Sequence, residues 1–144
     1  MMKLTKKEKL LKLIMDVLVA ECYENIFFDR DRYWVRIIYK YDNKTEFDIK
    51  LTINDEYYVG VYLSFDYNKS GDLSIYKCVN QFNSKHIFTA IFCEDHGVLL
   101  KRTCYTPQKK KSDIFDLLFD IEKCIQEAKE LYDTLEIACD EDKE

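Results

Sequence analysis

Glycine and proline are nearly missing from this chain of 144 residues, which holds three of the first and one of the second. Gly60, Gly71 and Gly97 stand alone. Neither a Walker loop nor a dinucleotide-binding fingerprint is possible, because both cradle phosphate with clustered glycines. So few chain-breakers leave little room for long irregular loops, and the chain reads as structured nearly end to end. Histidine is scarce as well. His86 and His96 have no serine or cysteine in a recognisable elbow beside them, and no convergent acid–base set is visible. No run approaches the roughly 18 apolar residues of a membrane span, so no membrane partner is expected. Excess positive charge is lacking too: the net charge is −5, which repels a phosphate backbone and gives no reason to expect a nucleic-acid partner. The one compact basic run, Lys109-Lys110-Lys111 beside Pro107, reads as a solvated loop.

What is present is ordinary for a folded protein. Hydrophobic residues make up 47% and charged residues 34%, too apolar for disorder and enough to bury one core, so residues 1–144 read as a single domain. Six cysteines, Cys22, Cys78, Cys93, Cys104, Cys124 and Cys139, are scattered along the chain. Met1 to Asp16 mixes Lys with Leu and Ile at helical spacing and carries neither the apolar core nor the cleavage site of a signal peptide. Free thiols in a reducing cytoplasm are therefore expected. Cys93-x-x-His96 is one zinc-type ligand pair, but zinc needs four ligands and no second pair exists. No metal and no other cofactor is expected.

Periodicity orders the elements. Thr5-Lys6-Lys7-Glu8 fits a capping box, and Leu11, Ile14, Met15, Leu18 and Cys22 follow at helical steps, widened by Val17 and Val19. The period then becomes two. Tyr33 to Tyr41, Phe47 to Ile53 and Tyr57 to Phe65 alternate apolar with polar residues across short polar turns, an antiparallel meander with one dry and one wet face. Ile26-Phe27-Phe28 leaves a short additional strand open. Ser70 is placed to cap a helix from Asp72 to about Phe82, with Ile75, Val79 and Phe82 as its stripe. A hairpin follows, Ile87 to Cys93 and Val98 to Tyr105, with Gly97 supplying a positive φ at the turn. Ser112 caps a last helix in which Leu118, Ile121, Ile125, Ala128, Tyr132, Leu135 and Cys139 form a heptad-like seam. Asp140 to Glu144 reads as an acidic, frayed tail. The expected fold is α+β: a five-stranded antiparallel sheet with helices packed on one side, in the order α-β-β-β-α-β-β-α.

Chemistry-bearing patterns are thin. Glu46-x-Asp48-x-Lys50 resembles the acid-x-Lys end of a metal-dependent nuclease, whose lysine sits near the attacked phosphate. Asp48 and Lys50 are equally what the wet face of an alternating strand carries. The remaining signal is surface. The second faces of the strands carry Trp34, Ile38, Tyr58, Tyr62, Phe88 and Phe92, a partly apolar face that another chain can cover.

The element order resembles the type III secretion chaperone-like fold and, within it, the YbjN-like family of small bacterial proteins. The most motif-like stretch is Val79-Asn80-Gln81-Phe82-Asn83, the strand from Ile87, the Asp95-His96-Gly97 turn and the strand from Val98. The rest, over most of Lys6 to Leu135, is topology. Asn80 and Asn83 suit a helix end whose amide bonds the departing strand. The resemblance implies helices on one side of the sheet, homodimers, and binding of unfolded segments or regulatory partners in place of catalysis. The expected function is a non-catalytic, dimeric, chaperone-like or regulatory adaptor. Its binding surfaces would be a sheet patch of Trp34, Ile38, Tyr58 and Tyr62, and a helix seam of Ile121, Ile125, Ala128, Tyr132 and Leu135. A small inhibitor or sensor of one folded partner is the alternative, and a nuclease-like enzyme using Asp48 and Lys50 a third.

Overall fold

A computed structural model describes residues 5–54, 58–67, 72–93, 97–105 and 114–142. Among these residues the chain runs α1 (Lys6–Ala20), β1 (Ile26–Asp29), β2 (Trp34–Lys40), β3 (Glu46–Ile53), β4 (Tyr58–Phe65), α2 (Asp72–Asn83), β5 (Thr89–Cys93), β6 (Gly97–Tyr105) and α3 (Phe115–Asp142). All neighbouring strands pair antiparallel, in the order β1-β2-β3-β4-β6-β5. The α+β class and one-sided helices are as expected. The sheet has six strands instead of five, because Ile26–Asp29 pairs with Trp34–Ile37. Four residues with two adjacent phenylalanines, both half-exposed, show no alternation by which to recognise a strand.

The period-2 pattern decides which side is dry. Val35 and Ile37, then Phe47, Ile49, Leu51 and Ile53, then Val59, Val61, Leu63 and Phe65, then Val98 and Leu100 are all buried on one face. α1 covers β2 and β3, α3 covers β4 and β6, and α2 packs on β5 and α3. Phe88 corrects the hairpin expectation: it is fully buried in this core, and Phe92 meets the Tyr76 ring of α2 edge-on at 5.2 Å. Thr89 and Ile91 take the other face instead. Apolar residues fall on both parities between Ile87 and Phe92, so alternation alone does not set that strand's register.

The last helix corrects a second expectation. Ile121, Ile125, Ala128, Tyr132 and Leu135 do form one stripe, but none is more than 7% exposed, because the stripe lies on the chain's own sheet. Each such apolar side chain contributes roughly 1.5–3 kcal/mol when buried. A second chain that claimed the seam would forfeit on the order of 10 kcal/mol of the protomer's own core. Polar anchors hold the helix in register. The Tyr67 hydroxyl donates to the Leu135 carbonyl at 2.9 Å, Tyr41 donates to Asp133 at 2.5 Å, and Thr45 and Tyr132 share a bond of 3.0 Å. The Asp133 carboxylate, followed by burial, pushes the Tyr41 phenol up to about 12. Ser112, Asp113 and the turn at residues 94–96 lie outside the described residues, as do the side chains of Cys93 and Cys139.

Two local details position the ends. Gly97 has φ 93°, and a Cβ there would sit 2.2 Å from the Phe65 carbonyl oxygen; only glycine lets β6 start against the end of β4. At the start of α1, the Thr5 hydroxyl accepts from the Glu8 N–H at 3.2 Å, the expected N-cap. At its end the helix stops at Ala20, two residues before the last position of the expected stripe. Cys22 is exposed, with φ 64°. Its N–H bonds the Val19 carbonyl, and the Tyr23 N–H bonds that of Leu18, the Schellman closure that favours glycine at this position. A left-handed cysteine costs about 1 kcal/mol or more. Cys22→Gly is therefore expected to raise stability by up to about 1 kcal/mol, a rise of about 3 °C in Tm. An unchanged or lower midpoint in thermal unfolding contradicts this closure.

Candidate protein-binding face

The face opposite the helices is where the expected patch residues lie, and the strand registers fix their arrangement. Its central row crosses all six strands: Phe27, Arg36, Lys50, Tyr62, Lys101 and Thr89. The row on one side holds Asp29, Trp34, Thr52, Gly60 and Thr103. The row on the other holds Ile38, Asp48, Ser64, Leu99 and Ile91. Tyr58 stands beyond the Trp34 row, opposite Tyr105. The structure thus brings Trp34, Ile38, Tyr58 and Tyr62 to one face but not into one continuous apolar patch. They are interleaved with three cations, Arg36, Lys50 and Lys101.

The cations and aromatics are held in place by one another. Arg36 donates two bonds to Asp48, at 2.8 and 2.7 Å. An exposed pair of this kind contributes under about 1 kcal/mol, so its consequence is geometric: it lays the guanidinium along β2 and β3. The Lys50 ammonium sits 5.1 Å from the centre of the Trp34 ring. A Cβ on Gly60 would lie 2.7 Å from Tyr62 Cε2, so the Tyr62 ring occupies the space that the glycine leaves open. Phe27 is 52% exposed and Tyr58 44%. A shallow, polar depression of about 690 Å³ continues this face past Ile38 and Asp48 to the β2–β3 turn, lined also by Lys40, Glu46 and Ser64.

The nuclease-like residues fall on this face too. Both Asp48 oxygens are engaged by Arg36 and Lys50 is directed to Trp34. Among the described residues no group of three His, Cys, Asp or Glu side chains is placed to hold a metal ion. Cys104 and Cys124 lie on the covered side. Cys104 is pushed up to about 12 by burial and then by its bond to Asp120, and Cys124 higher still by burial and the Glu127 charge. Both stay protonated at neutral pH and are poor nucleophiles and ligands. Cys78, Cys104 and Cys124 are buried free thiols. No helix among the described residues is long and apolar enough to cross a membrane.

The junction of α2 with β5 holds two functions of position, one anticipated and one not. Asn83 behaves as its place at the helix end suggests: its amide nitrogen donates to the Ala90 carbonyl at 3.0 Å and its oxygen accepts the Ala90 N–H at 2.7 Å. Glu127, only 1% exposed, was not legible as special. Its Oε1 accepts from the Ile87 and Phe88 N–H groups at 2.8 and 3.4 Å, while Oε2 meets no partner among the described residues. An acid flanking a buried stripe was the available signal. His86 completes the junction, with Nδ1 3.0 Å from the Phe82 carbonyl and Nε2 2.7 Å from Glu130.

Burial lowers the His86 pKa, but the bonds to Glu130 and to the Phe82 carbonyl, with the nearby Glu127 charge, outweigh it and leave the imidazole above its ordinary value. A group raised in the folded state stabilises fully below its unfolded pKa, and that contribution is lost as pH rises through the folded one. The stability advantage of the wild type over His86→Gln should be largest below about pH 6 and should shrink across neutrality. Urea titrations at several pH values check this. An advantage that stays flat or grows with pH contradicts the His86–Glu130 pairing.

No family model, no curated protein and no solved structure matches this chain.

Proposed function

We propose that this chain is a non-catalytic protein-binding module, a chaperone-like or regulatory adaptor of the cytoplasm, whose open sheet face takes the partner. The observation that carries this reading is the central row of Arg36, Lys50 and Lys101 set among Phe27, Tyr62, Trp34 and Ile38 on the face that the helices leave bare. Apolar rings supply contact area, and cations beside them select acidic groups and exclude other partners. The partner is accordingly a protein surface or segment that alternates apolar with acidic side chains. One-sided helices and the element order support the type III secretion chaperone-like plan and the YbjN-like likeness; β1 is an addition to that plan. The buried free thiols support a reducing compartment.

A single strand of nucleic acid would also stack on such a row. Asp48 and Glu46 on the same face, and a net charge of −5, favour the protein.

The discriminating experiment uses charge reversal. Lys50 and Lys101 are both exposed, so Lys50→Glu with Lys101→Glu leaves the core untouched. Proteins retained from the source cells by the wild type should fall at least about tenfold on the double variant, and stay unchanged on Lys77→Glu, on the outer side of α2. One dominant folded protein among them identifies a regulator or inhibitor, and many unfolded segments a chaperone. Equal retention by both variants removes the open face as the binding surface. Tight binding of an oligothymidylate in fluorescence anisotropy, lost on the double variant, overturns the protein partner in favour of nucleic acid.

A further inference from the structure

The helix side of the sheet is left open at its β1 end. Between α1 and β1 lies a groove of about 430 Å³ lined by Leu11, Met15 and Phe28, with Glu8, Lys12 and Arg30 around it. Leu11 and Met15 stand one turn apart on α1 and form its floor; Leu11 is 4% exposed and Phe28, the wall on the strand side, 51%. This floor offers carbon alone, because α1 uses its own backbone groups within the helix. The rim carries charge of mainly one sign. Glu8 is turned to the helix start, where its Oε1 accepts from the Thr5 hydroxyl at 3.1 Å. Lys12 and Arg30 come from two different elements, are exposed, and have no ion partner among the described residues. Four of the six charged residues in α1 are lysines, so this corner is cationic on a chain whose net charge is −5.

We propose that this groove binds a single-chain fatty carboxylate, with its hydrocarbon along Leu11, Met15 and Phe28 and its head group between Lys12 and Arg30. Charge chooses the head. Two cations converging from separate elements suit one anion, and a guanidinium meets a carboxylate with two parallel bonds while the ammonium supplies another. Volume chooses the length. At roughly 30 Å³ for a water-sized group, the groove takes a chain of about ten carbons with its carboxylate, and its size lies within the range of small-molecule clefts. The floor chooses hydrocarbon over peptide, because amides laid on carbon lose water without gaining a partner, whereas a row of methylenes carries nothing to satisfy. It chooses a free acid over a bilayer as well: Leu11 is nearly buried beneath the charged rim, within reach of one chain and not of a lipid surface. The groove is on the helix side and the proposed protein-binding face on the other, so either reading can fail without the other.

Isothermal titration calorimetry with decanoate is the test, and the NMR signal of the Met15 methyl group reports the place. Decanoate should saturate with a Kd below about 1 mM and should shift that signal. Octanoate, with two methylenes fewer to bury, should bind about tenfold more weakly. Lys12→Glu with Arg30→Glu changes exposed side chains only; it should keep the circular dichroism spectrum and weaken decanoate at least about tenfold. Lys50→Glu with Lys101→Glu, on the open face, should bind decanoate as the wild type does. Absence of saturation overturns the proposal. So does equal binding of decyltrimethylammonium, equal affinity for octanoate, or full affinity in the Lys12 and Arg30 variant. Three further results give the groove to another occupant and reject the fatty acid: a Met15 signal that moves with protein concentration alone (a second copy), sedimentation with phosphatidylglycerol vesicles that decanoate does not release (a membrane), and cell proteins whose retention is lost on the Lys12 and Arg30 variant but not displaced by decanoate (a protein segment).

Discussion

The contact on which the rest of the molecule depends is the one between the stripe of α3 and the central strands β4 and β6. The 28 residues of this helix, about 42 Å at 1.5 Å per residue, span the sheet and fasten it at both ends. Tyr41, Thr45 and Tyr67 reach α3 from one end of the sheet. Glu127 and Glu130 reach back to the start of β5 through Ile87, Phe88 and His86. Because the apolar stripe is consumed in this contact, the seam from Ile121 to Leu135 is not free for another chain, and the apolar side chains that α3 leaves exposed are Phe115, Phe119 and Ile137. Two parts of the sheet stay uncovered by the helices: its open face and the β1 edge.

Those two surfaces have different chemistry. The open face is a mixed one, in which cations sit among aromatic rings and one ion pair, Arg36 with Asp48, orders the charges. Such a surface gains selectivity from charge more than affinity from area. The β1 edge is apolar on both sides of the strand and exposes backbone, which gives affinity through hydrogen bonds that need no particular side chain. At the opposite edge the amide of Asn83 stands in for a neighbouring strand, and a buried carboxylate closes the segment just before it. Placing Glu127 there costs desolvation that its two N–H donors offset only on one oxygen. It fixes where α2 ends and β5 begins, and so shuts one side of the sheet.

Much of the scaffold was readable from residue spacing. Phe47 to Ile53 alternates so cleanly that its partners on either side follow, and Thr5 with Glu8 marks the first helix start. Asn83 was readable because a side-chain amide at a helix end has few other uses. Other features were not. Ile26 to Asp29 is too short for periodicity to register. Between Ile87 and Phe92 both parities are apolar, so spacing assigns Phe88 to neither face, and only packing under α2 decides it. The stripe of Ile121, Ile125, Ala128, Tyr132 and Leu135 was located correctly, but a periodic seam looks the same whether it meets its own sheet or another helix. The cation row was invisible for a related reason: Arg36, Lys50 and Lys101 lie far apart along the chain, and only the strand register aligns them.

The most direct test is amide hydrogen exchange followed by NMR in dilute solution, where any second chain has dissociated. Amides of Ile121 to Leu135 in α3 should exchange as slowly as those at the centres of β3 and β4, since the helix completes a core belonging to a single chain. Fast exchange along α3 on dilution, with the strands still protected, would mean that another molecule holds the helix in place.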